Sequence, residues 1–336
     1  MNISVLGAGA WGTAIAISAA SHHLVYLWAR NPNAADAMRR DQENKQYLPA
    51  VALPNSLLIE SDFEKAVSRL GADDILVIAT PMAGLASTVA DVFKTAQHPF
   101  NILWLCKGLE PKTALLPHQV VKREQERFAS HAHAVGVLSG PSFAREVGEG
   151  LPCALTVAST TPEFCQRVQT AFHHGNIRVY ASDDLVGVEL GGAVKNVLAI
   201  ATGIGDGLGL GMNARAALLT RGLAEMMRLV KAVGGKSETC MGLTGLGDLI
   251  LTATGDLSRN RRVGLSLAAG EPLDRVLAAL GHVAEGVLCA QAVSDLAKQH
   301  QVEMPICATV SHVLNGQLSP EEGVRTLMGR EPKSET

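Results

Sequence analysis

The sequence predicts a doubly wound, parallel α/β sheet in its first half and an all-helical second half. Three observations carry this reading. Short β-branched runs alternate with helical segments up to about residue 185, a glycine-rich turn follows the first of those runs, and beyond Asp183-Asp184 apolar residues recur only at helical spacing. At 336 residues the chain is also about twice the size of one ordinary domain. Residues 1–185 are therefore expected to form the α/β domain, 186–330 the helical one, and 331–336 a frayed polar tail.

The strand candidates are Ile3 to Leu6, Leu24 to Trp28, Ile75 to Ala79, Ile102 to Leu105, Val135 to Leu138 and Leu155 to Val157. The run Ile75-Leu76-Val77-Ile78-Ala79, started by Asp73-Asp74 and stopped by Thr80-Pro81, describes a strand buried on both faces. It ends at the carboxyl edge of the sheet, beside which such sheets bind their ligands. Helical spacing then covers Leu185 to Gly205, Ala214 to Val233, Ser258 to Ala268, Leu273 to Leu280, Gly286 to Gln299 and Glu321 to Met328. Pro272, Pro305 and Pro320 stand where helices begin, since a first-turn residue has no need of its amide hydrogen.

Composition narrows the function. Lys and Arg total 29 against 32 Asp and Glu, a formal net charge of -3, which provides no broad positive field for nucleic acid or an anionic membrane. An anionic ligand must be held locally. Residues 1–21 carry no charged side chain, but the missing basic start and the presence of Gly7, Gly9 and Gly12 argue against a signal peptide or a span. No later run reads as a span, so no integral membrane association is expected. The six cysteines lack a C-x-x-C pair and read as reduced thiols of a cytoplasmic protein. His131 with His133 and His173 with His174 lack the companions of a metal site, and none is expected.

Gly7-Ala8-Gly9-Ala10-Trp11-Gly12 is G-x-G-x-x-G, directly after a strand and before a helix, the context of the Rossmann dinucleotide fingerprint. Gly7 permits the tight turn, Gly9 admits the pyrophosphate, and Gly12 lets helix and strand pack closely. An acidic residue at the end of the second strand would bind the ribose of NAD. Leu27-Trp28-Ala29-Arg30 supplies a guanidinium instead, which pairs with a 2'-phosphate. NADP(H) is favoured and NAD(H) stays open.

The second half holds the candidate chemistry. Lys195 and Asn196 are polar intruders in an apolar helix, and a lysine there needs a partner or a function. Asp248 and Thr252 share a helix face, and Asp248 is placed to orient Lys195 and hold its charge. Ser258-Arg259-Asn260 opens a helix whose cap, amide hydrogens and dipole suit a phosphate. Basic residues at a helix's amino end are unfavourable without a bound anion.

Together these motifs resemble the bacterial, soluble, NAD(P)-dependent glycerol-3-phosphate dehydrogenase family along nearly the whole chain. Further marks of the likeness are Cys106-Lys107-Gly108-Leu109-Glu110, Leu138-Ser139-Gly140-Pro141-Ser142-Phe143-Ala144 and Val283-Ala284-Glu285-Gly286. The resemblance implies a Rossmann domain followed by a helical domain like the carboxyl-terminal one of 6-phosphogluconate dehydrogenase. It also implies reversible oxidation of sn-glycerol 3-phosphate to dihydroxyacetone phosphate, with the reductive direction serving phospholipid synthesis. In that family the match to Lys195 exchanges the proton, with the matches to Asp248 and Lys107 nearby. Gly140, Ser142, Ser258, Arg259 and Asn260 match substrate contacts, and Trp11, Arg30, Lys107, Ala144, Arg259, Val283 and Glu285 match residues around the nucleotide. Ala10 departs from a frequent hydroxyl residue, leaving only a backbone contact to the pyrophosphate.

The mechanism expected has Lys195 donate a proton to the ketone oxygen, with Asn196 or Lys107 stabilising the developing alkoxide. The substrate is a small phosphorylated molecule, and the sequence admits a homodimer. Two rivals stand beside this reading: a ketopantoate-reductase-like enzyme of the same architecture, and a non-catalytic NADP(H) sensor.

Overall fold

The computed structural model describes residues 1–280, 284–331 and 334. The chain divides into two compact units, one of Met1–Lys107 with Leu115–Glu189 and one of Gly108–Ala114 with Leu190–Thr336.

The first unit is built on a sheet. Its strands are β1 (Asn2–Leu6), β2 (Leu24–Trp28), β3 (Glu43–Asn44), β4 (Leu48–Ala52), β5 (Leu57–Glu60), β6 (Ile75–Ile78), β7 (Asn101–Trp104), β8 (Ala134–Ser139), β9 (Cys153–Ala158) and β10 (Ile177–Ser182). Among the described residues the main sheet has eight strands in the order β10-β9-β8-β7-β6-β1-β2-β5, and β3 pairs with β4 separately. Chain order reverses between β1 and β6, which makes their carboxyl ends the ligand crevice of a doubly wound sheet.

Alternation along β6 shows why this sheet is covered on both faces. Ile75 and Val77 join Ile3, Val5, Ala14, Ile15 and Leu27 in one core. Leu76 and Ile78 join Leu6, Val89, Phe93 and Trp104 in the other. With every residue of β6 buried, a continuous apolar run is what the two-sided environment demands.

The structure corrects the all-parallel expectation at one place, because β9 runs antiparallel to β8 and carries β10 parallel to itself. β5, β10 and the β3–β4 hairpin are additions to the predicted strands. β10 alternates buried Ile177 and Val179 with exposed Arg178 and Tyr180, the pattern of an edge strand with one wet face.

The helix Leu185–Gly207 begins in the first unit and continues into the second. Among the described residues it alone has the length and apolarity to cross a membrane, with a mean hydropathy of 1.4, which the sequence reading did not single out. Of its most apolar 18-residue stretch, 94% is buried in protein. The second unit continues with helices Gly211–Val233, Asp248–Thr254, Arg259–Ala268, Leu273–Leu280, Glu285–Gln299, Pro305–Leu314 and Pro320–Met328. Pro305 and Pro320 stand in the first turns of theirs. Glu225 braces one of these helices from a distance, accepting the amides of Ile306 at 2.7 Å and Cys307 at 3.2 Å.

Candidate active site

The glycine-rich turn of the first unit has a distinct reason for each glycine. Gly7 has φ +120°, and a Cβ there would lie 2.9 Å from the Ala79 carbonyl oxygen. A Cβ on Gly12 would lie 2.0 Å from the Gly7 oxygen, so helix Ala10–Ala19 can approach β1 this closely only without one. Around Gly9 the opposite holds, for beyond its own chain neighbours nothing lies within 4 Å of where a Cβ would be. The protein's own packing accounts for Gly7 and Gly12. Gly9 is left open toward an external group, beside a helix start with no side-chain cap and no acidic residue in its first turn. Such a start suits a pyrophosphate, and the residues present fit a dinucleotide.

Asn44, which the sequence reading did not single out, secures this turn. Its Nδ2 donates to the Ala8 carbonyl at 2.9 Å and to Thr13 Oγ1 at 2.8 Å. Trp11 and Ala144 pack, partly buried, against the core beneath. Arg30 is exposed just past β2, where Asn31 caps the next helix by accepting from the Asn33 amide at 3.0 Å. Across the sheet, Lys107 Nζ and Ser142 Oγ both donate to the Gly140 carbonyl at 3.0 Å. Gly140 has φ +136°, which turns that carbonyl in a way β-carbon residues rarely allow.

A buried carboxylate in the same unit also escaped the sequence reading. Glu189 Oε1 accepts from Trp104 Nε1 at 3.0 Å and the His118 amide at 2.9 Å, while Oε2 lies 2.5 Å from His118 Nδ1. Burial pushes its carboxyl above the usual range, against the opposing pull of His118.

In the second unit, Lys195 projects from the long helix with only 6% of its surface exposed. Its Nζ donates to Asp248 Oδ1 at 3.1 Å and to Thr252 Oγ1 at 2.8 Å. Thr252 Oγ1 in turn lies 3.3 Å from Asp248 Oδ1, closing a triangle. Asp248 reaches this position because the π-helical turn Leu243–Gly247 lies against the long helix, where a Cβ on Gly191 would stand 2.7 Å from the Thr244 oxygen. The side chain is paired with a carboxylate and fixed in direction by both acceptors. The arrangement can present a proton to a substrate oxygen, or take one back, at a defined point.

Ser258 caps helix Arg259–Ala268 by accepting the Arg261 amide at 3.2 Å. Arg261 turns its charge to Asp206 at 2.9 Å and Asp256 at 3.0 Å. Arg259 remains exposed beside the helix start, where its charge and the first amides suit a phosphate. Asn260 is turned inward instead. Its Nδ2 donates to Asn196 Oδ1 at 2.9 Å and its Oδ1 accepts the Gly286 amide at 3.0 Å, while Asn196 Nδ2 donates to the Gly192 carbonyl at 3.2 Å. Glu285 opens helix Glu285–Gln299, and Val283 lies outside the described residues.

A doubly wound dinucleotide-binding unit joined to a helical unit with a buried lysine–aspartate pair defines a two-unit nicotinamide-dependent dehydrogenase. Comparison with known proteins specifies which kind. Residues 2–165 match the family model of the NAD-dependent glycerol-3-phosphate dehydrogenase N-terminus, and residues 184–325 that of its C-terminus. The glycerol-3-phosphate dehydrogenase (NAD(P)+) of Polynucleobacter asymbioticus is 67% identical over 341 residues, and that of Cupriavidus taiwanensis 57% over 339, each covering 100% of both chains. The crystal structure of glycerol-3-phosphate dehydrogenase from Coxiella burnetii superposes with a TM-score of 0.92 at 40% identity, covering 98% of this chain and 99% of that one. The chain belongs to the NAD-dependent glycerol-3-phosphate dehydrogenase family.

Proposed function

We propose that this chain interconverts sn-glycerol 3-phosphate and dihydroxyacetone phosphate, and that its reductive direction supplies glycerol 3-phosphate for phospholipid synthesis. The observation that carries the reading is the Lys195–Asp248–Thr252 triangle, a buried ammonium with its direction fixed. Residues 1–185 serve mainly the nucleotide and residues 186–330 mainly the substrate.

The bound nicotinamide supplies or takes the hydride. Gly7, Gly9, Ala10, Trp11 and Gly12 would hold the pyrophosphate region, with Arg30 favouring the 2'-phosphate of NADP(H) over NAD(H) and Ala144, Val283 and Glu285 completing the nucleotide set. In reduction, Lys195 Nζ gives its proton to the ketone oxygen as that oxygen gains negative charge. In oxidation the neutral amine takes the proton from the alcohol. Asp248 stays ionised throughout and holds the lysine's direction, a role it shares with Thr252. Ser258 and Arg259 bind the substrate phosphate, so energy from a part of the substrate that does not react orients the carbon that does. The family resemblance adds Lys107, Gly140 and Ser142 to the substrate-binding residues.

A phosphate site at Ser258–Arg259 favours this reading over a ketopantoate reductase, whose substrate carries no phosphate, and the family assignment agrees. A sensor would have no use for a buried proton donor. The six free thiols suit the cytoplasm. Leu210 and Met212 are exposed apolar side chains that a homodimer would cover, and light scattering tests for that dimer. The test is oxidation of NADPH or NADH by the purified chain with dihydroxyacetone phosphate, with ketopantoate as control. Turnover with ketopantoate alone refutes the proposal.

A further inference from the structure

The peptide joining Ala8 to Gly9 lies in the turn proposed to receive the pyrophosphate, and its own residues do not fix which way it faces. Half a turn of that peptide alters ψ of Ala8 and φ of Gly9, and glycine accepts φ of either sign. Such a flip would exchange a carbonyl oxygen for an amide hydrogen on each side of the turn.

The direction is set from 36 residues away. Asn44, on β3 and 4% exposed, donates through Nδ2 to the Ala8 carbonyl at 2.9 Å and to Thr13 Oγ1 at 2.8 Å. The Tyr47 amide donates to Asn44 Oδ1 at 3.3 Å. A backbone carbonyl only accepts and a backbone amide only donates, so one orientation of the carboxamide satisfies both partners. The hairpin that carries Asn44 is itself held. The Leu53 amide donates to the Gln42 carbonyl and the Ala50 amide to Glu43 Oε1, each at 2.8 Å. Leu48 and Val51 of β4 enter the same core as Ala14 of helix Ala10–Ala19. A Cβ on Gly148 would lie 3.1 Å from Leu48 Cδ2, 3.2 Å from Val51 Cγ1 and 3.8 Å from Ala14 Cβ, so three segments meet closely beside the turn.

A trans peptide carries its oxygen and its amide hydrogen on opposite sides. With the Ala8 oxygen drawn to the hairpin, the Gly9 amide hydrogen points away from it. We infer that Asn44 is a positioning residue for nucleotide binding, which holds the Ala8 carbonyl back from the pyrophosphate and leaves the Gly9 amide to face it. The inference rests on the reading of this turn as the pyrophosphate site. An oxygen turned toward the anion would repel it, whereas an amide hydrogen attracts it. Asn44 acts through the backbone and needs no contact with the nucleotide.

The test is calorimetric binding of two ligands to the full chain. NADP+ carries the pyrophosphate, and adenosine 2'-monophosphate carries the base, the ribose and the 2'-phosphate without it. Asn44→Leu nearly keeps the side chain's volume and removes its donor. It should weaken NADP+ by about tenfold or more and leave adenosine 2'-monophosphate within about twofold of the parent. A folded variant that binds NADP+ within about twofold of the parent overturns the inference. Equal losses for both ligands would show general loosening of the unit and overturn it too, as would a parent that does not bind NADP+. A parent that binds NADP+ but does not turn over dihydroxyacetone phosphate refutes the proposed function alone. Hydrogen exchange in the unaltered chain decides the matter if the variant does not fold. The Tyr47 amide, held by Asn44, should exchange slowly without nucleotide and change by less than about twofold when NADP+ is added. Protection that arises only with NADP+ would show the nucleotide ordering Asn44, and would overturn the inference.

Discussion

Replacing Lys195 with Met keeps the length of the side chain and removes the proton and the charge. The structure separates two consequences. The first is chemical: without a positioned donor the reduction loses general acid catalysis, about 10²–10⁴ in kcat. KM for dihydroxyacetone phosphate should change far less, because a different turn, at Ser258–Arg259, binds the phosphate. The second is structural. Asp248 is 2% exposed and its carboxylate loses the ammonium at 3.1 Å. At that distance and an effective dielectric of about 20 the lost attraction is about 5 kcal/mol. Breaking one side of a buried ion pair typically costs about 3–5 kcal/mol, in line with that figure. Adding Asp248→Asn to Lys195→Met removes the stranded charge and should recover most of the lost stability while leaving kcat low. Steady-state kinetics and urea unfolding of the parent, the single variant and the double variant read both effects. A folded Lys195→Met chain with kcat within about tenfold of the parent would refute the proton-donor role. A double variant no more stable than the single one would refute the ion-pair argument.

Other consequences follow from the same geometry. Gly12→Ala places a methyl 2.0 Å from the Gly7 carbonyl, so NADPH binding should fall together with thermal stability. An unaltered melting temperature would show that the helix has room to move. Arg30→Ala should weaken NADPH by about tenfold, the effect of losing one charge-assisted contact of about 1.4 kcal/mol, and leave NADH nearly unchanged. Equal losses for the two cofactors in titration would remove Arg30 from 2'-phosphate recognition. Burial pushes Glu225 above its ordinary value near 4.5, so the folded chain holds that proton more firmly than the unfolded chain. Its contribution is full below that ordinary value and is lost as pH rises through the raised one. Glu225→Gln should therefore flatten the decline of unfolding free energy with rising pH, and an identical pH profile would count against the assignment.

Much of the site is legible in the sequence because local constraints write it there. The fingerprint is readable since a tight turn and a close helix leave Gly7 and Gly12 no alternative. Lys195 is readable as a charge in an apolar helix, and Asp248 with Thr252 as polar positions four residues apart on one face. Ser258 is readable as a cap, and it does accept from the Arg261 amide. The antiparallel entry of β9 was not readable, because a strand's sequence does not record its neighbour's direction. Asn44 was missed because it bonds Thr13 across 31 residues, and Glu189 because its partners lie 71 and 85 residues away.

By itself the sequence determined the alternation of elements, the place of the dinucleotide turn and the residue types able to move a proton or bind a phosphate. Periodicity, turn chemistry and capping act over a few neighbouring residues and so are written in their order. Only the tertiary structure decided which of those residues face one another. It set Lys195 against Asp248 and Thr252, and it turned Asn260 away from solvent toward Asn196 and Gly286. Hydrogen bonds between distant segments depend on how helices pack, and packing is settled by the whole core at once.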